Sequence, residues 1–137
     1  MRISLAFHII GMIFWVGALM IIPTFLRSVK MGVDPQAKIV SAARSAMLGY
    51  LLPGALITTI SGLYQISING AAYYFKQGWF HGKLTGVVIL FIATGLLFAE
   101  IRRLSQGLDV RTARLGMIHG IAGLAFLANI FLTILMR

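Results

Sequence analysis

Gly78-Trp79-Phe80-His81-Gly82-Lys83-Leu84 opens a segment whose continuation, residues 84–99, holds no charged side chain. Counted from 78 to 100, the run is about 35 Å of helix at 1.5 Å per residue, enough to cross the hydrocarbon core of a bilayer. It stops at Arg102-Arg103. Nothing in such a segment needs a histidine, a lysine and a tryptophan for solubility. At a membrane boundary these groups are interface anchors or functional groups.

Three further stretches read the same way. Residues 3–26 form a run of 24 without an acid, lysine or arginine. This first run is too long for a signal h-region and lacks a small-residue cleavage site, so it is expected to stay in the protein. A second span lies at about 46–69, interrupted by Pro53-Gly54 and ended by the turn signal Asn69-Gly70. A proline inside a spanning helix bends it and frees a carbonyl. The fourth span is 115–136. Between the first two, Asp34-Pro35 has the form of a helix N-cap followed by proline, so a helix is expected to start there, lie along the interface and run into the second span.

Composition agrees. Of 137 residues, 59% are hydrophobic and 11% charged, against roughly a quarter charged in a soluble domain. The mean hydropathy is +0.93. The expected fold is an all-α integral membrane four-helix bundle, a single domain. The absence of cysteine excludes disulfides, thiolate metal sites, iron–sulfur clusters and covalently attached haem. The net charge of +9 does not point to nucleic acid, because the cations gather in two connecting loops. Arg27, Lys30, Lys38 and Arg44 follow the first span; Arg102, Arg103, Arg111 and Arg114 follow the third. The positive-inside rule places those loops in the cytoplasm and both termini outside.

That topology sorts the histidines by depth. His8 and His81 fall within roughly 5–8 Å of the same surface, whereas His119 enters from the opposite side. Two imidazoles at equal depth on different helices suit the axial positions of a b-type haem. Gly11 and Trp15 share the face of His8, Thr85 lies one turn from His81, and Gln65 belongs to the same half. Gly82 and Gly86 leave space for a porphyrin edge. His81 and Lys83 are separated by about 200° around a helix, so only one of them can be a ligand. Lys83 then pairs with an anion or snorkels to the headgroups. His119 reads as a helix–helix hydrogen-bond partner, and Glu100 as an ion-pair partner of Arg102 and Arg103.

His8-Ile9-Ile10-Gly11 with Trp15 and Gly17, together with Trp79-Phe80-His81-Gly82-Lys83, resembles the first- and third-span motifs of the HemJ-type and CopD-type small membrane proteins. Met47, Pro53, Thr58 and Ser61-Gly62-Leu63 fit the pattern of their second span. The resemblance covers most of the first three spans and implies a b-type haem held by His8 and by His81 or Lys83. For a HemJ-type protein it also implies oxidation of protoporphyrinogen IX in porphyrin biosynthesis, with electrons passed to quinone and Lys83 as the catalytic cation. CopD relatives are associated with copper uptake. The chain departs from the HemJ pattern at Ile22-Pro23-Thr24, at Ser28 and over 111–117, which makes it a divergent member. The alternatives are a haem b electron-transfer subunit of a larger respiratory or photosynthetic complex, and a copper-handling membrane protein. The setting expected for all three is a bacterial inner membrane, with a homo-oligomer or partner subunits possible.

Overall fold

The computed structural model describes residues 2–30 and 36–135, with the side chains of 29 and 30 left aside; the Asp34-Pro35 start signal lies outside the described residues. Helix α1 runs Arg2–Lys30. Helix α2, Gln36–Ala46, passes through a π-helical turn at Met47–Leu51 into α3, Leu52–Asn69. A short α4, Ala71–Phe75, precedes α5, Gly78–Ser105, and α6, Thr112–Leu135. Four helices are thus long and apolar enough to cross a membrane, and the architecture is an all-α four-helix bundle. We call the end carrying α4 the hairpin end and the opposite one the basic-loop end.

The helices outrun the apolar spans. Helix α5 has 28 residues, about 42 Å against a hydrocarbon core of about 30 Å, so its last turn carries Arg102 and Arg103 beyond it. Helix α2 does not lie by itself along an interface. Its buried Ile39 and Ala43 continue a four-residue stripe through Met47 and Leu51, and it packs on α1 and α5. The break expected at Pro53 is taken up just ahead of it. Proline has no N–H and its ring crowds the carbonyl four residues back. The chain widens there, and the Leu52 N–H reaches the Met47 carbonyl instead, a single π-turn that keeps 36–69 helical. The turn after α3 needs φ = +90° at Gly70, a conformation that glycine adopts without cost.

Burial is inverted relative to a soluble bundle. Ile3, Ile13, Ile21, Leu56, Ile60 and Leu124 are all more than half exposed, an apolar outer surface suited to lipid. The interior of α1 is the stripe Trp15, Leu19, Ile22 and Leu26, each fully buried. In a bilayer, van der Waals packing and hydrogen bonds rather than water exclusion hold such helices together.

Helix α1 is the centre of the bundle. It packs on α3 along one side, on α6 along another and on α5 between them, while α5 packs on α6. Helices α3 and α5 do not close the ring: no Cα of one comes within 8 Å of the other. Among the described residues they are joined, apart from α1 between them, through α4 at the hairpin end and α2 at the basic-loop end. A crevice with α1 as its floor therefore separates them.

Candidate functional site

Beneath this crevice lies the fully buried Trp15. Its indole N–H donates to Thr94 Oγ1 at 2.9 Å and its ring stacks obliquely on Phe91 of α5, 4.7 Å between centroids. The Thr94 hydroxyl in turn donates to the Leu90 carbonyl, so the Trp15–Thr94 bond fixes the register of two parallel helices. His8 precedes Trp15 by seven residues, which returns it to within about 20° of the same face. It therefore looks out over the floor, two turns nearer the hairpin end.

The α3 wall is polar and tight. Gly11 and Gly54 bring the two backbones together: a Cβ on Gly54 would sit 2.5 Å from the Trp15 nitrogen and 2.7 Å from the Gly11 carbonyl. One turn on, His8 Nδ1 donates to the Thr58 carbonyl at 2.9 Å and lies 3.2 Å from Ser61 Oγ. The Ser61 hydroxyl is itself held by the carbonyls of Ile57 and Thr58. The imidazole ring rests against Gly62, where a Cβ would meet its Cε1 at 3.2 Å. Because a carbonyl can only accept, the proton of neutral His8 is on Nδ1 and the lone pair on Nε2, the tautomer of an oriented metal ligand. Two polar atoms on this wall are buried without a partner, Thr58 Oγ1 and Gln65 Nε2. Such groups are costly unless something satisfies them.

On the α5 wall the structure separates three residues that sit together in sequence. Lys83 precedes Thr94 by eleven residues, three turns and about 20° off the same face, so it shares the crevice side. Its Nζ lies 4.8 Å from the centroid of the Trp79 ring, a cation–π contact. His81 precedes Thr94 by thirteen residues, which turns it about 140° away. It is exposed, and its Nε2 donates back to the Phe75 carbonyl at 3.0 Å. Thr85 faces the same way and donates to the His81 carbonyl.

The structure does not bring His8 and His81 together. Measured from the Trp15–Thr94 bond, His8 is seven residues up its helix and His81 thirteen up the parallel one, a difference of about 9 Å in height. Lys83 differs from His8 by only four residues, about 6 Å, a distance its side chain can bridge. Gly82 and Gly86 face α6 rather than the crevice. A Cβ on Gly82 would meet Leu132 Cδ1 at 2.9 Å, and Gly86 packs on the amide of Asn129. The space expected there for a porphyrin edge is filled by side chains.

Two other expectations resolve simply. His119 Nδ1 donates to the Met20 carbonyl across α6 and α1 at 3.1 Å, a helix–helix bond. Glu100 is fully buried and pairs with Arg114, not with Arg102 or Arg103. Its Oε1 accepts from Arg114 Nη1 and its Oε2 from the Arg111 backbone N–H, both at 3.2 Å. This puts a carboxylate on the N-terminus of α6, where unpaired N–H groups and the helix dipole favour negative charge. The residues missed in the sequence are Gly54, Thr58 and Ser61 as partners of α1. Their spacing of four and three is the available signal, a small and polar stripe on an otherwise apolar helix. No family model, curated protein or solved structure matches this chain.

Proposed function

We propose that the chain is a membrane redox protein that holds one b-type haem in the crevice between α3 and α5. The observation that carries this reading is His8, with Nδ1 tied to the Thr58 carbonyl, beside the unsatisfied amide nitrogen of Gln65. An anchored imidazole with a lone pair to offer and a buried donor without an acceptor suit a metalloporphyrin with polar edges. His8 would be the α1 ligand, and of the two α5 candidates Lys83, on the crevice face, would be the second, while His81 stays bonded to the Phe75 carbonyl. Gly11 closes the α1–α3 seam behind the site and the buried Trp15 ties α1 to α5 beneath it. Arg2 and Lys76 at the hairpin end are available to carboxylates. When bound, the haem supplies one-electron chemistry; the protein orients it, keeps lipid and water off it and sets its charge environment.

The HemJ-like resemblance extends this to oxidation of protoporphyrinogen IX with quinone as the acceptor. In this reading the termini lie on the non-cytoplasmic side of a bacterial inner membrane, as the loop charges require. Membranes from haem-replete cells should give a low-spin haem spectrum. That spectrum is lost in His8→Ala and Lys83→Met and kept in His81→Ala and His119→Ala. Colourless protein, or loss with His81→Ala alone, would overturn the ligand assignment. Complementation of a strain without protoporphyrinogen oxidase tests the enzymatic step separately: growth supports it, and a red protein that fails to complement reduces the function to electron transfer.

A further inference from the structure

At the basic-loop end, far from the crevice with His8, α2 passes the last turn of α5 and leaves an open groove of about 580 Å³. Its floor is apolar, Val40 and Leu104, and its polar rim is Ser41, Arg44 and Ser105. The acceptors that a helix C-terminus normally presents are covered here. The Gln106 N–H bonds the carbonyls of Arg102 and Arg103, the Gly107 N–H that of Leu104 and the Leu108 N–H that of Arg103. The Gln36 amide adds a second donor to Leu104 at 2.8 Å. With the carbonyls satisfied, the groove presents cationic and hydroxyl groups.

The charge around it is one-sided. Among the described residues this end carries Arg27, Lys38, Arg44, Arg102, Arg103, Arg111 and Arg114 against Glu100 and Asp109, and Glu100 is already taken by Arg114. Arg103 Nε is buried without a partner. Arg102 and Arg103 mark the depth at which α5 leaves the apolar layer, so the groove lies at headgroup level. Basic pockets between helices at that depth attract acidic headgroups.

We propose that this groove binds the phosphate of an anionic phospholipid, with Arg44 as its principal cation, Ser41 as a hydroxyl donor, and the Val40–Leu104 floor against the first carbons of the acyl chains. The lipid would reinforce the packing of α2 on α5 at the basic-loop end. The test titrates full-length protein in a neutral detergent with phosphatidylglycerol, phosphatidylcholine or inorganic phosphate and follows its thermal unfolding. Phosphatidylglycerol should raise the melting temperature saturably and the other two should not. Arg44→Gln, a change at an exposed position, should weaken the apparent affinity about fivefold, whereas Lys38→Gln, off the groove, should leave it unchanged. Equal stabilisation by phosphatidylcholine, an unchanged affinity in Arg44→Gln, or full reproduction of the effect by inorganic phosphate would each overturn the assignment to a lipid.

Discussion

The seam between α1 and α3 and the seam between α5 and α6 are both built on glycine, but to different ends. At the first, Gly11 and Gly54 bring backbone against backbone. At the second, Gly82 and Gly86 each receive a side chain, Leu132 and Asn129, and further along a groove of about 340 Å³ opens between Ile92, Ala93, Ile118 and Ile121. The first seam has no freedom and carries the anchored histidine. The second has slack and is pinned at the basic-loop end by the ion pair of Glu100 with Arg114. A glycine's importance thus depends on whether its neighbour can move.

The comparison breaks most sharply at Gly54. Gly54→Val puts a branched carbon into the α1 backbone, which cannot retreat, and should cost more than about 4 kcal/mol. The expected outcome is failure to recover monodisperse protein in detergent; a well-folded variant would mean that α1 and α3 are not in contact. Next comes Glu100→Ala, which leaves Arg114 Nη1 and the Arg111 N–H without their acceptor. Removing one partner of a buried pair costs about 3 kcal/mol, read as a lowered melting temperature with increased proteolysis between α5 and α6. Trp15→Phe keeps the ring packing but removes the bond to Thr94, a loss of about 1 to 2 kcal/mol. It should also disturb any haem spectrum, because the register of the floor against α5 depends on that bond. The smallest effect belongs to Gly82→Ala. The added methyl meets only the mobile end of Leu132, for roughly 1 kcal/mol or less. If Gly82→Ala proved as damaging as Gly54→Val, the distinction between the seams would fall.

Much of this was readable in the sequence, and the physical reason is plain. A bilayer forces spans to be uncharged and about 20 residues long, so four spans follow from where the charges stop. The boundaries differ because helices continue past the apolar layer: 78–100 becomes Gly78–Ser105, and 46–69 becomes the last part of a helix beginning at Gln36. His8 and Trp15 share one face of α1, since a seven-residue spacing preserves the face. For His81, depth alone does not say which way the ring faces. Depth follows from counting residues to a boundary, but the direction in which a side chain points requires a reference on its own helix. For α5 that reference is Thr94, whose bond to Trp15 spans 79 positions and leaves no local trace. Glu100 escaped for a similar reason, because its partner Arg114 is in the next helix.

Burial of Glu100 has a consequence for how the chain enters a membrane. Glu100 and Arg114 are separated by 14 positions and flank the short connection between α5 and α6. A lone carboxylate carried toward hydrocarbon is costly. Paired with Arg114 at the start of the following helix, it is offset as soon as that helix emerges from the ribosome. Helices α5 and α6 are thereby suited to insertion as one antiparallel unit, with the ion pair formed before either helix meets lipid alone. A ribosome stalled before residue 114 would hold α5 with an unpaired Glu100 and should leave it less firmly inserted than in the finished chain.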